Sequence, residues 1–169
     1  ETVGIFRGNH PEARIQEISM PQRYIDTTLF DLFKVGPGPS SSHTIGPMKA
    51  GHHFAETCAA LPRDLLVRAV RFRVRLYGSL SATGTVHGTD AAVVAGLLGT
   101  APESCPAGLL QELMDDPHTR RKRSLGDGQV SVCVDDVSHD AIIHDFPYSN
   151  TLVADLLDAE DKVLHSQEY

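Results

Sequence analysis

The stretch "VRFRVRLYGSL" constrains the fold of this chain more than any other, because Val70, Phe72, Val74 and Leu76 alternate with Arg71, Arg73 and Arg75. Successive side chains of an extended strand point to opposite faces, so the segment predicts a strand with one apolar and one cationic face. Such a strand needs a sheet around it and an apolar layer against one face of that sheet. Its cationic face reads either as a solvated surface or as a docking surface for an acidic partner. "HGTDAAVVAGLLG" predicts a short helix, capped by Thr89 or Asp90 and stopped at Gly99, and another helix is expected from near Pro106 to about Asp115. "QVSVCV", "DAIIHDF", "TLVADLL" and "KVLHSQE" are predicted strands, the last two joined by a tight turn at Asp158 to Asp161. Helices among a minority of strands, then a run of strands, predict an α+β fold with a mixed, mostly antiparallel sheet packed with helices.

The 169 residues suffice for one domain with one core, and they contain no internal repeat. Residues 1–27 mix Gly, His, Pro, Glu and Arg without sustained periodicity and read as an arm or linker, and apolar density rises at "TTLFDLFKV". A net charge of −7 repels phosphate backbones, which argues against non-specific nucleic-acid binding. Cys58, Cys105 and Cys133 are odd in number, far apart and outside any zinc-type spacing; they are expected to be buried thiols of a reducing compartment. No apolar run approaches the roughly 18 residues of a membrane span, and no signal pattern stands at the amino end, so a cytoplasmic protein is expected. The first residue is Glu1, not methionine, which suggests a processed product or an excised piece of a longer polypeptide.

The chemistry concentrates in "GPGPSSSHTIGP", residues 36–47. Thr44 stands where an N-cap belongs and Pro47 in the first turn of a helix predicted from about Ile45 to Ala60. Unpartnered N–H groups and about half a positive charge gather at a helix amino terminus, which favours an anion. Ser40, Ser41, Ser42 and Thr44 add hydroxyl donors for carboxylate or phosphate oxygens, and His43 can move a proton near neutral pH. A serine-rich turn that merely caps a helix would need one hydroxyl and no imidazole. "SLSATGTVHGTD", residues 79–90, repeats the pattern as a second loop, placing His87, Thr89 and Asp90 at another helix entrance. If the two loops meet, two imidazoles and several hydroxyls surround a pocket sized for a small carboxylate. The remaining histidines, His10, His52, His53, His118, His139, His144 and His165, fit surface or satisfied-core roles and form no HExxH motif. A P-loop, a GxGxxG after a strand and a GxSxG elbow are also absent, which argues against nucleotide binding and against Ser40, Ser41 or Ser42 as an acyl nucleophile.

"LFDLFKVGPGPSSSHTIGPMKAG" and "SLSATGTVHGTDAAVVAGLLG" resemble the two signatures of the beta domain of iron–sulfur-dependent L-serine dehydratases, and the residues around Asn150 and Thr151, followed by a hairpin, resemble that domain's end. The resemblance covers residues 28–169. It implies a lyase that deaminates L-serine to pyruvate and ammonia, acting with an alpha domain or chain, absent here, whose cysteines hold a [4Fe-4S] cluster. In that chemistry an iron with an open position acts as Lewis acid on the β-hydroxyl and a base removes the α-proton from the other side. The resemblance also implies that Ser40, Ser41, Ser42, Thr44, Thr89 and Asn150 bind substrate and that His43 and His87 are the catalytic candidates. His43 is the first choice for the base, because it is held in the denser hydroxyl cluster. No metal ligand is expected in this chain, and neither a nucleic acid nor a membrane is an expected partner; a homo-oligomer is. The sequence departs from the family at Thr85 and Val86, where Lys and Gly are common, and at Tyr148 and Ser149, where a His-Pro pair is common. The alternative reading is a regulatory module that binds serine or another small carboxylate without turning it over, and a third is a dimerisation scaffold using the arginine-rich strand.

Overall fold

The computed structural model describes residues 36–38 and 40–169. The expected arm at residues 1–27 and the apolar stretch "TTLFDLFKV" lie outside the described residues. Chain order runs from a π turn at Ser41–Ile45 into α1 (Gly46–Ala59) and α2 (Arg63–Arg68), then β1 (Arg71–Gly78), α3 (Ser79–His87), α4 (Thr89–Leu97) and α5 (Leu109–Asp115). Five strands follow: β2 (Arg121–Leu125), β3 (Gly128–Val132), β4 (Val137–His139), β5 (Asn150–Leu157) and β6 (Val163–Glu168).

The predicted alternation at residues 70–76 places β1 in the middle of the sheet. β5 pairs antiparallel with β1 along its full length, and the opposite edge of β1 carries β3 at Arg71 and β4 at Val74 to Leu76, both parallel. β2 and β6 close the two sides, each antiparallel to its neighbour, which makes the sheet mixed and mostly antiparallel as expected. Phe72, Val74 and Leu76 lie opposite Leu156, Ala154 and Leu152 on β5 and are buried with them under α1 and α4, whose Met48, Phe54, Val93 and Leu97 complete the core. Full burial of a side chain of that size stabilises by about 1.5–3 kcal/mol, so this single cluster sets the fold.

The cationic face is neither a solvated surface nor an open docking site. Arg73 and Arg75 both donate to Asp155 Oδ2, at 2.7 and 3.2 Å, and Asp155 is fully buried on the strand beside them. Arg71 pairs with Asp161 at 2.6 Å and with Asp136 at 3.5 Å. The acidic partner comes from the same chain, supplied by β5 and two turns, and no pattern within β1 could have named it.

Four further expectations are corrected. Residues 79–87 form α3 rather than a loop: Leu80 and Gly84 are buried, and Thr83 donates its hydroxyl to the Ser79 carbonyl, so packing outweighs the weak helix propensity of Gly and Thr. "DAIIHDF" is not a strand. Pairing stops at His139, and the Ala141 and Ser149 carbonyls accept from the Gly78 and Ser79 N–H groups while Ile143 is 92 % exposed. "RKRSL" is a strand that alternation did not reveal, because its inward residues are Arg121 and Arg123, which reach Glu112 and Glu56. The helix ends are capped otherwise than expected as well. Ser40, not Thr44, accepts from the turn, and neither Thr89 nor Asp90 caps α4.

Candidate active site

Ser40 holds an extended backbone (φ −132°, ψ 120°), from which its carbonyl accepts the Thr44 N–H at 2.9 Å and its hydroxyl the His43 N–H at 3.4 Å. The Gly46 N–H reaches back to the Ser41 carbonyl, five residues earlier, and widens the turn. Pro47, which has no N–H to satisfy, then opens α1. The second histidine ends α3, and Gly88 (φ +68°) reverses the chain into α4 in the left-handed conformation.

Two glycines bring these turns together. A Cβ on Gly51 of α1 would lie 2.4 Å from the Val93 carbonyl oxygen, and one on Gly96 of α4 would lie 2.1 Å from that of Met48. The helices therefore touch backbone to backbone, and they run side by side from the same end. At that end the contact is reciprocal: Thr44 Oγ1 donates to the His87 carbonyl at 3.4 Å, and Thr89 Oγ1 donates to the His43 carbonyl at 2.7 Å. The imidazoles of His43 and His87 stand with ring centroids 5.1 Å apart, tilted by 58°.

The candidate residues divide by what their side chains face. Thr44 and Thr89 are fully buried and their hydroxyls are committed to the two carbonyls. Ser41 and Ser42 are exposed, and Ser42 Oγ lies 2.9 Å from His43 Nδ1 and 3.4 Å from Ser40 Oγ. His43 Nε2 lies 3.3 Å from the Ser79 carbonyl. A carbonyl can only accept, so Nε2 carries the proton in the neutral ring and Nδ1 accepts from the Ser42 hydroxyl. Among the described residues the His87 ring makes no hydrogen bond. Asn150, at the start of β5, accepts through Oδ1 from the Ser79 hydroxyl. Ser79 thus joins Asn150 to His43 and is a residue that motif reading missed; its signal was its place directly after the central strand.

Ser42 and Asn150 open on a cleft of about 460 Å³ that also has Lys49, His53 and Tyr169 on its walls. His87 opens on another of about 570 Å³, beside Glu103, Cys105 and Gln111. Tyr169 Oη lies 2.7 Å from His53 Nδ1, and burial pushes the pKa of its phenol up to about 12, with Cys58 adding to the effect. Burial likewise pushes the Cys58 thiol up to about 12, against a lowering by Arg123. The three cysteines are free and lie on separate elements, and among the described residues no three His, Cys, Asp or Glu side chains converge to hold a metal ion. A cluster needs several thiolates aimed at one point, so the described residues do not fit an iron–sulfur centre. No helix among them is long and apolar enough to cross a membrane.

Residues 28–169 match the family model for the serine dehydratase beta chain. L-serine dehydratase 2 of Escherichia coli is 38 % identical over 148 residues, which is 84 % of this chain and 31 % of that protein. L-serine dehydratase 1 of the same organism is 43 % identical over 105 residues, 62 % of this chain and 23 % of its own length. The L-serine dehydratase of Streptomyces coelicolor is 40 % identical over 118 residues, covering 69 % of this chain and 25 % of that one. The chain therefore spans between a quarter and a third of the length of these curated relatives, to within a few per cent.

Proposed function

Because this chain belongs to the serine dehydratase beta-chain family, we propose that it supplies one half of the active site of an L-serine dehydratase, which deaminates L-serine to pyruvate and ammonia together with an alpha domain outside this chain. The observation that carries the reading is the meeting of His43 and His87, 5.1 Å between ring centroids, beside the serine hydroxyls of the π turn. Removing a weakly acidic α-proton needs a positioned base, and His43 offers Nδ1 with its tautomer set by the Ser79 carbonyl. The Ser42 hydroxyl occupies that nitrogen in the free chain; it orients the ring and yields its place to the substrate's α-carbon. Ser40, Ser41 and Ser42 are the donors for the serine carboxylate, and Asn150 orients Ser79 from the other side. Thr44 and Thr89 keep the two turns joined rather than touch substrate. His87 is the second candidate for the base, and its ring, without a partner among the described residues, is free to reach a ligand.

A [4Fe-4S] cluster belongs to this reading, which assigns its ligands to the alpha domain; the described residues of this chain do not fit one. Cytoplasmic residence and homo-oligomeric assembly go with the same reading. The test is to mix this chain with a separately made alpha domain under anaerobic conditions and assay pyruvate from L-serine. Activity should need both parts, and His43→Ala should lower turnover by about 10² or more, the scale of a lost general base. Serine binding without turnover in the mixture would instead make the chain a regulatory module. If His87→Ala abolishes turnover while His43→Ala leaves more than about a tenth of it, the base is His87.

A further inference from the structure

His139, the last residue of β4, sits where α3, the Gly88 turn and α4 converge. Its Nδ1 lies 3.0 Å from the Ser81 carbonyl of α3. Its Nε2 lies 3.1 and 3.0 Å from the two carboxylate oxygens of Asp90, in the first turn of α4, and 3.3 Å from Thr85 Oγ1. A carbonyl and a carboxylate both only accept, so the imidazolium, which donates from both ring nitrogens, is the form that satisfies Ser81 and Asp90 together. Asp90 demands the same from its side. Its side chain is 15 % exposed, Oδ1 has no aligned hydrogen-bond donor, and the imidazolium is the one cation within 4 Å among the described residues. A largely buried carboxylate with no counter-charge is costly, and a neutral His139 would leave it so. Burial works against the charge on His139, but the Ser81 carbonyl and Asp90 outweigh it and raise its pKa above the ordinary value.

We infer that the His139–Asp90 pair is a positioning device for the catalytic pair: it ties α3 to α4 across the turn that carries His87, and holds the His87 imidazole against His43. The linkage is short. Asp90 adjoins Thr89, whose hydroxyl holds the His43 carbonyl, and Ser81 and Thr85 present one face of the helix that ends in His87. Neither His139 nor Asp90 reaches the serine hydroxyls of the π turn, so their effect passes through the placement of His87. This inference rests on the dehydratase reading only for its catalytic consequence; the geometry it asserts is independent of the reaction.

The test is nuclear magnetic resonance of the full chain labelled on the histidine rings, with Asp90→Asn and His139→Gln alongside. In the wild type, His139 should carry protons on both nitrogens at neutral pH, and the rings of His43 and His87 should show a cross-ring contact. Both variants should lose that contact. In the complete enzyme, turnover should then fall on the order of 10²-fold, the cost of a misplaced group, with KM within about twofold. A neutral His139 ring in the wild type at neutral pH would overturn the inference without any variant. So would variants that melt earlier yet keep the His43–His87 contact, since the pair would then only stabilise the fold. If the wild-type enzyme makes no pyruvate while the ring contact responds as stated, the dehydratase reading fails and the positioning role stands.

Discussion

The two histidine turns reach one place by opposite means. The π turn holds His43 largely with neighbours in sequence: Ser40 takes its N–H and Ser42 its Nδ1, while Ser79 and Thr89 reach it from elsewhere. The second turn holds His87 with none of its neighbours' side chains. Its carbonyl is gripped by Thr44, and its flanking helices are tied by His139, an element 52 residues further along in sequence. A locally built turn keeps its geometry when distant parts change, whereas a turn built by distant partners fails with any of them. His43 is thus the fixed member of the pair and His87 the adjustable one.

The largest change should come from destroying the contact on which both turns depend. Gly96→Ala places a methyl group 2.1 Å from the Met48 carbonyl oxygen, which is backbone and cannot swing aside. Overpacking of this kind costs about 1–3 kcal/mol, occasionally more. Urea denaturation should show the loss, and the two rings should part; unchanged stability would mean that the helices do not touch as described. A smaller effect is expected from the reciprocal threonines. Thr44→Val and Thr89→Val each remove one hydroxyl donor to a backbone carbonyl, at about 1 kcal/mol apiece. Because both join the same two turns, the double variant should cost less than the sum of the singles, and strict additivity would show that the turns are held independently.

The pH dependence separates the turns further. His139 has a folded pKa above its ordinary 6.5, so its contribution to stability is complete below that value and is lost as pH rises through the folded pKa. Denaturant midpoints should fall over that window in the wild type and fall less in Asp90→Asn. The shift at His118, paired with Asp135 on the surface, has the same sign but belongs to a fully exposed group and adds little. An equal pH slope in Asp90→Asn and wild type would break the assignment. The smallest stability effect belongs to Ser42→Ala, within about 0.5 kcal/mol for an exposed side chain, although the tautomer balance of His43 should shift once Nδ1 loses its donor.

Much of this was legible in the sequence because it is written in short-range patterns. The alternation at Phe72, Val74 and Leu76 announces a strand, the density of Ser40, Ser41, Ser42 and His43 announces a polar turn at a helix entrance, and Gly99 announces a helix end. The same local reading failed at residues 79–87, where Gly84 between Thr83 and Thr85 suggested a loop, and at residues 121–125, where the inward residues are arginines whose carboxylate partners lie on α1 and α5. By itself, then, the sequence determined the α+β class, the central strand, the chemical content of the two histidine turns and the family. Tertiary structure alone decided that the turns touch, that Thr44 and Thr89 spend their hydroxyls on each other's histidine carbonyls, that Asp155 neutralises the arginine face, and that His139 faces Asp90. The reason is range. Periodicity and turn chemistry act over a few residues and leave their mark in adjacent letters, whereas the close approach of Gly51 and Gly96, 45 positions apart, and the pairing of Asp90 with His139 are chosen only when the sheet and helices close on one core.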